Sequence, residues 1–206
     1  MWFPVLITVI TGYLLGNLNG AVCMSTLISH DDVRTHGSGT AGLTNFIRSY
    51  GAASSILVVL IDFLKAVVAC LVGQLLLTPY DMALEGVMIG AAAVSLGHDF
   101  PALLGFKGGK GILCGLAIAV VADWRCALFI LALFAVAVLI TRYVSLGSVL
   151  GALGLGAFFV VIYFDRPVVA VLGGCIGALA VFMHRGNIVR LIKGTERKFG
   201  SKKEEN

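Results

Sequence analysis

Charge is scarce in this chain. Asp, Glu, Lys and Arg make up 13% of its 206 residues, about half the share of a soluble domain. Hydrophobic residues make up 59%, too many to hide in one water-soluble core of this size. Proline is also rare, with 4 residues, so long apolar runs go unbroken. The 5 cysteines form no CxxC pair, their number is odd, and each lies in or beside an apolar run. That pattern excludes a disulfide framework and a thiolate metal site and predicts small buried side chains. Basic residues interleaved with stacking aromatics are missing, so nucleic acid is set aside. No basic region precedes MWFPVLITVI and no small-residue cleavage site is followed by a soluble domain, so a retained first span is predicted.

What is present is a series of long, non-alternating apolar runs. These specify an all-α polytopic membrane protein rather than a barrel. About seven spans are predicted: Phe3 to Ile28, Ala52 to Leu77, Met82 to Leu96, Gly111 to Ala122, Cys126 to Thr141, Leu146 to Phe164 and Val168 to Met183. Residues 1–198 form one integral-membrane domain, and 199–206 a disordered polar tail. Asn17 and Asn19 interrupt the first span and read as glue between helices. Asp62 and Lys65 lie three apart within the second, so a structural ion pair facing the bundle is expected. The small residues of GALGLGA in the sixth allow close helix packing.

The polar islands carry the chemistry. Gly97 to Gly111 reads GHDFPALLGFKGGKG. Gly108, Gly109 and Gly111 let backbone N–H groups turn toward one point, Lys107 and Lys110 add charge, and a helix starts there. This is a candidate phosphate cradle, not a Walker motif, because GxxxxGK[ST] is absent. His98 and Asp99 adjoin, yet sequence neighbours need not face each other; His98 reads as a loop-orienting or substrate-binding residue. The first loop holds Gly37-Ser38-Gly39-Thr40, then Asn45 and Arg48, with Thr44 a candidate helix cap and Arg48 suited to a two-bonded phosphate. RYVSLGS places Ser145 before the sixth span. In the tail, His184, Asn187 and Arg190 fall on one helical stripe, and His184 can move a proton near neutral pH.

Topology links these islands. The tail is rich in Lys and Arg, which predicts a cytoplasmic C-terminus and, with seven spans, an N-terminus outside. Arg34, Arg48, Lys107, Lys110 and Arg142 then face the cytoplasm, and only Arg125 and Arg166 lie opposite. Every chemically flagged motif lands on one face, as a single anion site requires.

With these motifs in hand, the chain resembles the bacterial acyl-phosphate:glycerol-3-phosphate acyltransferase family. The family pattern GSGNxGATNxLR resembles GSGTAGLTNFIR from Gly37 to Arg48, GHxFPxxLxFKGGKG is met from Gly97 to Gly111, and HRxNIxRLxxGxE from His184 to Glu196. DxxKG is met by Asp62 and Lys65, with Ala66 for Gly. Thr40 departs from the family's Asn. The resemblance implies acyl transfer from acyl phosphate to the 1-hydroxyl of glycerol 3-phosphate, giving lysophosphatidic acid and phosphate for phospholipid synthesis. It implies no acyl-CoA, acyl carrier protein, cofactor or metal, and a monomer in the bacterial inner membrane whose site faces the cytoplasm. It assigns catalysis to Ser38, Arg48, Lys107, His184 and Asn187. Substrate binding falls to Gly39, Thr40, Asn45, His98, Gly108, Gly109, Lys110, Gly111 and Ser145, and structural roles to Asp62, Lys65 and Glu196. Two rival readings are an anion transporter and an inactive lipid-binding relative.

Overall fold

The computed structural model describes residues 2–200, which hold ten α-helices and no strand. In order they are α1 (Trp2–Asn17), α2 (Gly20–Ser29), α3 (Leu43–Tyr50), α4 (Ser55–Leu77), α5 (Ala83–Asp99), α6 (Ile112–Ala122), α7 (Trp124–Thr141), α8 (Val144–Ile162), α9 (Pro167–Met183) and α10 (Arg185–Ile192). Five stretches are long and apolar enough to cross a bilayer: Trp2–Ser29, Ser55–Tyr80, Ala83–Leu104, Trp124–Thr141 and Val144–Ile162. A sixth is reached if α9 and α10, bent by 55°, count as one span. Helix α6 has 11 residues, well short of the ~20 that cross the hydrocarbon core. The helices expected at all seven apolar runs therefore form, but α6 and α9 are each shorter than a full span. Residues 201–206, most of the expected loose tail, lie outside the described residues. The Phe199 N–H donates to Arg142 O at 2.7 Å.

The core sits between α4, α5, α6, α7, α8 and α9 and is built mostly of small and medium side chains, among them Ala66, Met88, Val94, Ile118 and Ala127. Cys70, Cys114 and Cys126 are buried, as predicted, whereas Cys175 is exposed. Close approach does the rest. A Cβ on Gly73 of α4 would lie 2.0 Å from Gly86 O of α5, so backbone meets backbone there. Such contact replaces the hydrophobic drive that lipid removes.

The first span is broken between Asn17 and Gly20. A break inside a bilayer frees backbone groups that water cannot reach. Asp62 and Lys65 of α4 satisfy them. Lys65 Nζ donates to Gly16 O at 3.2 Å and to Leu18 O, and Asp62 Oδ1 accepts from Gly20 N at 3.1 Å. The two side chains are 2.9 Å apart and buried. The ion pair thus mends a helix break. The asparagines at the break tie loops to these helix ends rather than one α-helix to another. Asn17 Oδ1 accepts from Leu103 N at 3.0 Å, and Asn19 Nδ2 donates to Ala41 O at 3.0 Å while its Oδ1 caps α2 at Val22 N.

Candidate active site

The first loop winds around one buried amide. Asn45 Nδ2 donates to Val33 O at 2.9 Å, His36 O at 3.0 Å and Thr40 O at 3.1 Å, and Asn45 Oδ1 accepts from Ser38 N at 2.9 Å. Gly37 sits at φ +57°, and a Cβ there would lie 2.3 Å from Asn45 Oδ1, so both its conformation and its bareness are needed. Helix α3 follows, capped at Gly42 without a side-chain bond; the Thr44 cap is not formed. The loop brings Ser38 Oγ to 2.8 Å from Thr40 Oγ1. Asn45→Asp should keep the Ser38 bond but turn an acceptor toward three carbonyls. Each of those carbonyls keeps a backbone N–H partner, from His36, Gly39 and Gly42, so the expected cost is that of the lost side-chain bonds, about 1–3 kcal/mol in all. It should appear as a lower midpoint of thermal unfolding in detergent, and a wild-type midpoint would refute the keystone role.

The Gly-Lys loop packs beside it. Arg34 Nη1 donates to Leu104 O at 2.7 Å and Lys107 O at 3.3 Å, tying the two loops together. His98 lies beneath the glycines. Its Nδ1 is 2.8 Å from Lys65 Nζ, and because an ammonium can only donate, Nδ1 accepts and Nε2 carries the hydrogen. A Cβ on Gly109 would lie 2.1 Å from that Nε2. The Gly109 N–H already donates to His98 O at 3.1 Å. Gly109 is therefore bare so that His98 can approach, and its N–H does not aim at a ligand as the cradle reading expected.

At one end of the bundle these loops and the ends of α8, α9 and α10 enclose a cavity. Ser38, Thr40, Asn45, Arg48, His98, Lys110, Gly111, Ser145, His184 and Asn187 all line it. Gly39, Lys107, Gly108 and Gly109 do not, and Lys107 is exposed. Asp62 touches the cavity and Lys65 does not. The structure adds two charged lining residues that the sequence left out of the site, Arg190 and Arg197. The stripe spacing already put Arg190 beside Asn187. Arg197 lies beyond the end of α10, where no periodicity speaks for it.

The cavity is strongly cationic. Lys110 Nζ donates to Asn187 Oδ1 at 2.7 Å, Asn187 Nδ2 to Glu196 Oε1 at 2.9 Å, and Arg190 Nε to Glu196 Oε2 at 2.6 Å. Burial opposes the Glu196 charge, but the bonds from Asn187 and Arg190, with the nearby Ser145 hydroxyl, outweigh it and hold the carboxyl low. Asp62 is engaged by Lys65, and Glu196 alone does not balance the remaining cations. Burial first, then Arg190 and Arg48, pull Lys110 down to about 8 against the pull of Glu196. Arg48 is lowered by burial, then by Arg197 and Arg190, with Glu196 again opposing. Cations that destabilise one another relax when an anion enters. His184 completes the set. Its Nδ1 lies 2.8 Å from Ala180 O, and a carbonyl only accepts, so Nδ1 carries the hydrogen and Nε2 keeps the lone pair of a base.

Adjoining this cavity is an apolar groove among α5, α6, α7, α8 and α9. The two share Gly111, Ile112, Leu113, Phe134 and Ser148. Among the described residues no cluster of His, Cys, Asp or Glu is placed to hold a metal.

Together these features define an integral membrane protein with a cationic cavity at one end of its helix bundle and an apolar groove adjoining it. The family model for glycerol-3-phosphate acyltransferase matches residues 6–194. The chain is 38% identical to the glycerol-3-phosphate acyltransferase of Clostridioides difficile, over 98% of both chains. It is 41% identical to that of Anaeromyxobacter sp., over 92% of this chain and 94% of the relative. Among solved structures it is similar to PlsY, an integral membrane glycerol 3-phosphate acyltransferase. In its glycerol 3-phosphate form the TM-score is 0.84 and identity 32%, over 95% of this chain and 96% of that one. In its lysophosphatidic acid form the values are 0.80 and 31%, over 95% of both. The chain belongs to the glycerol-3-phosphate acyltransferase family, whose work lies in phospholipid synthesis.

Proposed function

We propose that this protein transfers a fatty acyl group from acyl phosphate to the 1-hydroxyl of glycerol 3-phosphate, giving lysophosphatidic acid and phosphate. The observation that carries the reading is the shared wall between a cationic cavity and an apolar groove. Both substrates carry phosphate, and one also carries a chain. Arg48, Lys110, Arg190 and Arg197 hold the phosphates, and the groove takes the chain. The reacting carbonyl then sits where Gly111 and Ser148 line both spaces. The 1-hydroxyl oxygen attacks the carbonyl carbon, the carbon–oxygen bond to phosphate breaks, and the phosphate leaves with the electron pair. His184 Nε2 takes the hydroxyl proton. Positive charge around the carbonyl and leaving oxygens stabilises what develops there, the kind of contribution that usually weighs most. Ser38, bonded to Thr40, supplies a hydroxyl to the same oxygens rather than a nucleophile. It stands in GSGT, and among the described residues its Oγ bonds Thr40 and no histidine, the nearby His36 being turned to Asp31.

The topology belongs to the same reading. With Trp2–Ser29 as one span and α6 and α9 counted, the bundle crosses seven times. The end with Arg34, Arg48, Lys107, Lys110, Arg142 and the basic tail faces the cytoplasm, and Arg125 and Arg166 face outward. The protein works as a monomer in the inner membrane and needs neither acyl-CoA nor acyl carrier protein. The test is phosphate release by the purified protein with glycerol 3-phosphate and either palmitoyl phosphate or palmitoyl-CoA. Release that requires both palmitoyl phosphate and glycerol 3-phosphate, with lysophosphatidic acid formed, supports the donor. Equal product from palmitoyl-CoA would overturn it.

A further inference from the structure

The apolar groove contains one group that a plain hydrocarbon chain does not need. Asp99, the last residue of α5, lines it and is 2% exposed. Its Oδ1 has no hydrogen-bond partner among the described residues. The cation whose charge reaches it, Lys65, makes its bonds elsewhere. Lys65 is engaged by Asp62, His98, Gly16 O and Leu18 O. A buried, unpartnered carboxyl in a membrane protein is costly and marks function by default. A Leu or Ala here would bury as well and cost nothing.

The carboxyl does not stand alone. Ser95 lies four residues earlier, on the same face of α5, and also lines the groove. Ser148 of α8 lines it from the other side, its Oγ donating to Val144 O at 3.0 Å. The remaining lining is Gly, Ala, Leu, Ile and Phe. The polar seam has a definite position. A Cβ on Gly111 would lie 3.3 Å from Asp99 Oδ1, and Gly111 lines both the groove and the cationic cavity. Asp99 therefore stands at the mouth of the groove, beside the carbons nearest the reacting carbonyl. A cationic chain does not suit walls that are otherwise apolar. A neutral hydroxyl does, because it can donate to a carboxyl oxygen and tolerate the hydrocarbon around it.

We infer that Asp99 makes this groove selective for acyl chains carrying a hydroxyl on the carbons next to the carbonyl, such as 3-hydroxyacyl groups. The inference rests on the reading that the groove holds the acyl chain. It concerns which chain is taken, not whether transfer occurs.

The test compares kcat/KM for palmitoyl phosphate and 3-hydroxypalmitoyl phosphate, each with glycerol 3-phosphate, in the full-length protein in detergent. One hydrogen bond to a buried polar group is worth about tenfold. Wild type should favour the hydroxylated donor by about that ratio. Asp99→Leu and Asp99→Ala should bring the ratio to about one or below, and Asp99→Asn, which can still pair with a hydroxyl, should keep part of it. A second arm needs no turnover: palmitic and 3-hydroxypalmitic acid compete with a fluorescent fatty acid for the groove. Asp99→Leu should remove the preference there too. If transfer from acyl phosphate fails but the binding preference and its loss persist, the donor assignment falls and this one stands. A wild-type ratio of one in both arms, or a preference that survives Asp99→Ala, overturns it.

Discussion

His184→Asn should lower kcat for acyl transfer by about 10²–10⁴-fold, the range a positioned general base contributes, with little change in KM for glycerol 3-phosphate. Asn is chosen because its amide N–H can keep the bond to Ala180 O that His184 Nδ1 makes at 2.8 Å. The buried site stays filled and the end of α9 stays tied. What is lost is Nε2, the lone pair available to the attacking hydroxyl. The pH profile provides the sharper reading. A base must shed its proton before it works, so wild type should lose activity on the acid side, and the residual activity of His184→Asn should not follow that limb. Thermal unfolding in the same detergent separates chemistry from folding. Activity within about threefold of wild type, in a folded variant, is far less than a base contributes and would mean that the proton goes elsewhere, most simply to a substrate phosphate.

The helices were legible because lipid leaves a chain few options. Apolar runs of span length can only be helices, so the run ending at Leu77 appears as Ser55–Leu77 and the run ending at Thr141 as Trp124–Thr141. Motif residues also gathered as charge distribution suggested, with Ser38, Arg48, His184 and Asn187 around one cavity. Other features were out of reach. Asp62 and Lys65 read as a pair from their spacing, but spacing says nothing of the broken first span that they satisfy from another helix. His98 and Asp99 are adjacent, yet one is held by Lys65 and the other faces the groove. The spacing in GFKGGKG does not separate the two lysines, and the resemblance put Lys107 in catalysis and Lys110 in binding, whereas only Lys110 lines the cavity. Phe106 takes φ +60° and Gly111 φ +71°, and such turns obey no period, so which ammonium enters the cavity depends on tertiary contacts. Thr40 stood out as a departure from the family's Asn. Its hydroxyl lies 2.8 Å from Ser38 Oγ, a contact that a motif comparison could not give.

Those turns lead to the second large effect. Lys110→Met should lower kcat/KM for glycerol 3-phosphate by about 10²–10³-fold, the loss expected when one preorganised charge at a developing anion is removed. Lys107→Met should change it far less, because Lys107 is exposed and does not line the cavity. The pH dependence follows from the same geometry. Burial and the like charges of Arg190 and Arg48 bring Lys110 to about 8. Below that pH the ammonium is present, and above it the free protein carries a neutral amine that holds phosphate poorly. So kcat/KM, which reports the free enzyme, should fall as pH rises through about 8. Bound phosphate favours the charged form, so kcat at saturating substrate should hold to higher pH. Lys110→Arg keeps its charge at every accessible pH and should lack that alkaline limb, whatever activity its larger head retains. If wild type and Lys110→Arg decline together above this pH, the limb belongs to another group. If Lys107→Met is the more damaging change, the phosphate is held by the outer lysine, and the loop must close over it when substrate binds.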